Sequence, residues 1–247
     1  MKTVGIIPAR YQSTRFPGKP LVSLLGKPMV IWVAQVTAKA LGRDNTFVAT
    51  DDQRIAKIVV DFGFQLVMTS DKALTGTDRV WEAAQKIEAD TYINVQGDEP
   101  TLCPEDILTV LKCKKRYPQE VVNGMCKLRN NDDPKNTNFP KVITTEDLRM
   151  VYMSRLPIPG VKSQEKAPKS FWRQVCIYAF NREQLKLFGE FGHKSYLESF
   201  EDIEMLRFFE LGIFIRMVVV EGSLYAVDAP EDVKVVENVL RKKYDLK

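Results

Sequence analysis

The sequence contains a single histidine, His193, and four cysteines, Cys103, Cys113, Cys126 and Cys176, with no CxxC pair among them. A histidine-rich metal centre is therefore disfavoured, as is a Ser–His–Asp triad unless His193 itself serves. His193 lies in the Gly192-His193-Lys194 turn, where a solvent-exposed side chain is expected. The cysteine spacing suits neither a zinc site nor a disulfide framework, so reduced thiols are expected. No stretch approaches the roughly 20 uncharged apolar residues of a membrane span. No leader-like segment precedes the first apolar run, so a cytoplasmic protein is expected. Charge of one sign is scarce too. The 36 Lys and Arg stand against 32 Asp and Glu, a net charge of +4, too weak to imply a nucleic-acid partner.

Apolar anchors are plentiful. The chain has 247 residues, 45% of them hydrophobic, with three Trp, eight Tyr and thirteen Phe, which excludes disorder over most of its length. In the first hundred residues strands alternate with helices. Val4-Gly5-Ile6-Ile7, Phe47-Val48-Ala49, Leu66-Val67-Met68 and Tyr92-Ile93-Asn94-Val95 read as strands. Helical spacing follows Pro28, runs through Ile55, Ile58 and Val59 to Gly63, and recurs through Val80, Ala83, Ala84 and Ile87. This is the pattern of βαβ units around a parallel sheet. Beyond Asp98 we expect a helix over 104–116, strands over 121–128, 141–145, 150–153, 175–180 and 213–220, and helices over 196–211 and 230–244. One domain over 1–247 is the economical reading, with an inserted arm in its second half.

Three motifs carry chemistry. After the first strand come Ala9, Arg10, Ser13, Thr14, Gly18 and Lys19, in a loop where small residues allow close backbone approach and cations neutralise phosphate. It is neither a Walker A loop nor GxGxxG, and on charge alone a solvated basic loop would read the same. After the fourth strand comes Gln96-Gly97-Asp98-Glu99-Pro100. A carboxylate there suits Mg²⁺, which needs only one or two protein carboxylates beside substrate phosphates; a plain turn is the simpler alternative. Asp228, before Ala229-Pro230, is the candidate second carboxylate, although it equally fits a helix N-cap. Together the three suggest nucleotidyl transfer. Gly76-Thr77-Asp78-Arg79 opens a helix and suits either a base pocket or simple capping. Glu198, Glu201 and Glu204 recur at helical spacing, as a substrate face or a solvated one. Arg155 fits a substrate carboxylate or the surface equally well.

Taken in order, these residues resemble a known family. Ile6-Ile7-Pro8-Ala9-Arg10-Tyr11, Phe16-Pro17-Gly18-Lys19-Pro20-Leu21, Gly26-Lys27-Pro28-Met29, Val48-Ala49-Thr50-Asp51-Asp52, Gly76-Thr77-Asp78-Arg79, Asn94-Val95-Gln96-Gly97-Asp98-Glu99-Pro100 and Val227-Asp228-Ala229-Pro230-Glu231-Asp232 together resemble the 3-deoxy-manno-octulosonate cytidylyltransferase (CMP-KDO synthetase) family. The resemblance implies a Rossmann-like nucleotide-diphospho-sugar transferase fold, with a mixed central α/β sheet flanked by helices. It also implies a homodimer built through a dimerisation and sugar-contact region at roughly 150–212. The implied reaction joins CMP from CTP to a 3-deoxy-2-ulosonic acid, releases pyrophosphate and serves cell-surface polysaccharide synthesis, lipopolysaccharide included. Mg²⁺ is the implied cofactor, on Asp98 and Asp228. By position, Arg10 and Lys19 hold the triphosphate, Ala9, Ser13 and Thr14 shape its loop, and Gly76 and Thr77 lie near base and ribose. Gln96, Arg155, Gln174, Tyr178 and Glu204 contact the sugar acid.

The sequence departs from the family pattern mainly in its sugar-binding half. Ala73-Leu74-Thr75 replaces a His-Gln-Ser type run before Gly76, Gln174 stands where a histidine is usual, and Ala226 replaces a glycine before Val227-Asp228. The implied acceptor is accordingly 3-deoxy-manno-octulosonate or a modified form such as the 8-amino sugar. A different ulosonate or a phosphonate remains open, as does a catalytically silent nucleotide-binding relative.

Overall fold

Strand β1 (Thr3–Ala9) runs through the middle of the sheet, with Val4 and Ile6 fully buried on one face and Ile7 on the other. This computed structural model describes residues 1–12, 16–163, 165, 168–222, 225–227 and 229–245. After β1 the chain makes a short 3-10 turn (Lys19–Leu21) and a small hairpin, β2 (Ser23–Leu24) and β3 (Lys27–Pro28). There follow α1 (Met29–Leu41), β4 (Thr46–Thr50), α2 (Gln53–Asp61), β5 (Gln65–Met68), α3 (Gly76–Lys86) and β6 (Thr91–Val95). The second half comprises α4 (Pro104–Arg116), β7 (Val121–Lys127), β8 (Lys141–Thr144), β9 (Met150–Ser154) and β10 (Trp172–Phe180). It continues through α5 (Arg182–Glu190), α6 (Tyr196–Glu201), α7 (Met205–Glu210), β11 (Ile215–Val219) and α8 (Asp232–Tyr244).

The main path of the sheet is β11-β7-β10-β6-β1-β4-β5, with β8 on β10 and β9 on β8. Strands β6, β1, β4 and β5 are mutually parallel, as the βαβ alternation requires. Strand β10 enters antiparallel between β6 and β7, which makes the sheet mixed. From β1 the chain moves outward through β4 to β5, then returns to β6 on the other side of β1. The loops leaving β1 and β6 therefore diverge, and a ligand crevice opens between them at this switch of direction. Gly97 serves that crevice: a Cβ there would lie 2.9 Å from the Pro8 carbonyl, so only glycine lets the two strand exits approach so closely.

Both faces of the sheet are covered. Val4, Ile6, Val80, Phe188 and Phe208 belong to the core on the α3, α5 and α7 side, and Ile7, Val30, Val48, Ile107 and Val110 to the core on the α1, α2 and α4 side. Helix α8 packs Val236 and Leu240 against Met29 and Trp32 of α1. The helix expected over 196–211 is instead two helices. Asp202 takes a left-handed conformation (φ 51°) and ends α6 by donating its N–H to the Glu198 carbonyl at 2.8 Å. The break re-aims the glutamates. Glu198 pairs with the buried Arg207, Glu201 accepts from Ser154, and Glu204 reaches α3. The even glutamate face drawn from helical spacing does not exist.

Candidate active site

The crevice is a polar cleft of about 330 Å³. Its first wall is built from the exits of β1 and β6. Gly18, at φ 73°, donates its N–H to the Tyr11 carbonyl at 2.9 Å and closes the loop, so that Lys19 turns back toward the sheet. The Lys19 ammonium donates to Asp98 Oδ2 at 2.8 Å and to the Val227 carbonyl at 3.0 Å. Val227 N–H in turn donates to the Asp98 carbonyl at 3.2 Å. Three distant segments thus meet on one cation–carboxylate pair. Ala9 and Arg10 line the cleft beside them. Ser13, Thr14 and Asp228 lie outside the described residues.

The second wall is the N-terminus of α3. Thr75 caps it, its hydroxyl accepting from Asp78 N–H. Gly76 and Thr77 then point their backbone N–H groups at Glu204, at 2.9 and 3.0 Å, and the Thr77 hydroxyl also donates to that carboxylate. Burial pushes the Glu204 carboxyl up to about 7, and nearby Asp78 adds to the rise; the Thr77 and Gly76 donors oppose it. Gly76 packs tightly on Gln96, where a Cβ would come within 2.7 Å of Nε2. Behind this wall Arg207, fully buried, joins Asp78 (2.7 Å) to Glu198 (2.6 Å), which ties α3 to α6 and α7. Arg79 reaches from α3 into the cleft lining but is held by Asp51 at 3.1 Å and Thr69 at 2.5 Å.

Of the residues expected at the sugar acid, Gln96 and Glu204 line the cleft. The other three do not line it. All three guanidinium nitrogens of Arg155 donate to backbone carbonyls, Nη1 to Thr137 at 2.7 Å, Nη2 to Asp202 at 2.9 Å and Nε to Glu201, so this side chain secures the end of α6. Gln174 is buried and donates to Asn123 Oδ1 at 3.0 Å, and Asn123 holds the Val175 and Ile177 carbonyls at the irregularity of β10. Gln174 thus braces the sheet here and does not line the cleft. Tyr178 is buried beneath the cleft among Cys176, Phe180 and Glu204; burial raises its hydroxyl well above the usual value, and the neighbouring Cys176 and Glu204 groups add to the effect. Sequence reasoning missed two lining residues, Lys194 and Asp202, which pair at 2.6 Å. Neither lies in a recognisable motif. His193, next to Lys194, is exposed and stacks on Phe191, as a turn residue should.

The residues fit a divalent cation in part. No group of three or more metal-ligating side chains occurs among the described residues. Asp98 nevertheless offers a half-exposed carboxylate whose Oδ1 receives no hydrogen bond from them. A hard cation that keeps its waters and binds substrate phosphate asks for little more.

Residues 4–217 match the family model described as Cytidylyltransferase. The 3-deoxy-manno-octulosonate cytidylyltransferase of Parabacteroides distasonis is 41% identical over 244 residues, covering 95% of this chain and 96% of its own. The Escherichia coli protein of the same name is 38% identical over 229 residues, 93% of this chain and 92% of its own. A solved structure of CMP:2-keto-3-deoxy-manno-octonic acid synthetase complexed with CTP superposes with a TM-score of 0.90 at 35% identity, covering 98% of this chain and all of that one.

Proposed function

The chain belongs to the 3-deoxy-manno-octulosonate cytidylyltransferase family, and from that premise we propose that it transfers CMP from CTP to 3-deoxy-manno-octulosonate, or to a modified form such as the 8-amino sugar, with release of pyrophosphate. The observation that carries this reading is the Lys19–Asp98 pair at 2.8 Å, fixed at the switch point between β1 and β6. It presents a phosphate-binding cation and a metal-binding carboxylate at one spot.

Arg10 and Lys19 hold the triphosphate, and the small residues Ala9, Ser13 and Thr14 admit it to the loop. Gly76 and Thr77 border the base and ribose. Gln96 and Glu204 border the acceptor. The anomeric hydroxyl of the sugar attacks the α-phosphorus while the bond to pyrophosphate breaks on the opposite side. Lys19 and Arg10 neutralise the charge that develops on the leaving group. Mg²⁺ on Asp98 and Asp228 would lower the pKa of the hydroxyl and neutralise the α-phosphate. The cleft holds the two substrates in line, and positioning accounts for much of the acceleration.

The reading extends to a homodimer through residues 150–212. It is supported by Tyr196 and Phe200, whose rings meet at 5.0 Å and are 72% and 73% exposed, and by Leu156, 66% exposed in the same region; exposed large apolar side chains favour a covering partner. A cytoplasmic enzyme feeding lipopolysaccharide synthesis completes the proposal; no helix among the described residues is long and apolar enough to cross a membrane.

The test is pyrophosphate release with CTP, Mg²⁺ and a panel of acids: 3-deoxy-manno-octulosonate, its 8-amino analogue, sialic-type acids and small phosphonates. Release with an octulosonate supports the assignment. Release only with another class of acid replaces the acceptor, and release with none overturns the reading.

A further inference from the structure

An acceptor that carries a carboxylate needs a cation on its side of the cleft. Four cations line the cleft among the described residues: Arg10, Lys19, Arg79 and Lys194. Arg10 and Lys19 stand at the β1 exit. Arg79 is committed to Asp51, Thr69 and the Ser70 carbonyl. Arg155 does not line the cleft, and it gives one donor from each guanidinium nitrogen to the carbonyls of Thr137, Glu201 and Asp202. Lys194 alone approaches from the segment between α5 and α6, on the same side as Asp202 and Glu204.

We propose that Lys194 binds the carboxylate of the acceptor, and that Asp202 is the counter-ion which the substrate displaces. The proposal rests on the cytidylyltransferase reading above. Lys194 Nζ donates to Asp202 Oδ1 at 2.6 Å, and an ammonium has three donors. No second acceptor for it occurs among the described residues. The two side chains are 36% and 68% exposed. An ion pair this exposed to water contributes little, so a carboxylate entering the cleft exchanges with Asp202 at little cost. The Asp202 backbone is fixed by Glu198 and Arg155, but its side chain is largely exposed and can turn into solvent as the substrate enters. In the resting pair burial pushes the Asp202 carboxyl up, and Lys194 chiefly, then Arg155 and Arg10, hold it below the usual carboxylate range; the two arginines stay nearby when Lys194 is taken by the substrate.

Steady-state pyrophosphate release at varied acceptor and varied CTP tests this. Lys194→Gln should raise the acceptor KM on the order of tenfold, the loss of one charge-assisted contact, with the CTP KM and kcat nearly unchanged. Lys194→Arg should restore most of it. Asp202→Asn should move the acceptor KM the other way, severalfold down, because the competing counter-ion is gone. An acceptor whose carboxylate is replaced by a carboxamide should lose affinity with the wild type and lose nothing further with Lys194→Gln. An unchanged acceptor KM in Lys194→Gln, or a rise confined to the CTP KM, overturns the proposal while wild-type turnover keeps the cytidylyltransferase reading intact. A wild type inert toward every ulosonate brings down both.

Discussion

Lys19 Nζ sits 2.8 Å from Asp98 Oδ2 and 3.0 Å from the Val227 carbonyl, so one ammonium joins the β1 loop, the β6 exit and the segment before α8. The two partners should fail differently. Lys19→Met should raise the CTP KM and lower kcat, together by a factor of a hundred or more in kcat/KM for CTP, while the acceptor KM moves little. Asp98→Asn should nearly abolish turnover at any CTP concentration and weaken the response to added Mg²⁺. Both side chains are partly exposed, so thermal melting should shift by only a few degrees. Full activity in Asp98→Asn, or equal effects on both substrates in Lys19→Met, would contradict the assigned roles.

Gly76 touches Gln96 so closely that a methyl group has no room, yet the obstacle is the free end of a side chain. Gly76→Ala should therefore fold well, helped by the better helix propensity of alanine in the first turn of α3. The displaced Gln96 amide should cost a several-fold rise in acceptor KM, read in the same pyrophosphate assay. Unchanged kinetics would remove Gln96 from the acceptor side.

The strand–helix alternation, the Gly-ended α2 and the strand exits at Arg10 and Asp98 were legible in the sequence because they rest on local periodicity and turn chemistry. The antiparallel entry of β10 was not, since pairing partners lie far apart in the chain. Nor was the break at Asp202, because the glutamate spacing of α6 and α7 fits one helix. What splits it is the long-range demand of Asp78 on Arg207 and of α3 on Glu204. Arg155 and Gln174 have partners here that residue type alone does not announce: backbone carbonyls for the first and Asn123 for the second. Lys194 carries no local signal at all and becomes visible only through the cleft it lines.

Arg207 is fully buried between Asp78 and Glu198, which is itself 1% exposed. Arg207→Met strands two carboxylates in the interior and should destabilise the fold by about 3–5 kcal/mol, measured by chemical denaturation. Adding Asp78→Asn and Glu198→Gln removes the stranded charges and should recover a substantial part. A single variant as stable as wild type would show that the trio does not hold α3 against α6 and α7.

Glu204 makes the stability depend on pH in a predictable direction. Its folded-state pKa, about 7, stands above the ordinary 4.5 chiefly through burial. The folded protein therefore binds this proton more tightly than the unfolded chain does. The stabilisation is fully present below pH 4.5 and is lost as pH rises through 7, where the carboxylate is charged in both states and bears its desolvation cost only when folded. Glu204→Gln cannot titrate, so the difference in melting temperature between wild type and variant should change steadily across pH 5–7.5, with wild type losing ground as pH rises, and level off above pH 8. The neutral amide still accepts from Gly76 N–H, and its own NH₂ group meets Thr77. A difference that stays flat across the window would mean that the three donors from α3 keep Glu204 ionised throughout, and that the start of this helix outweighs the burial.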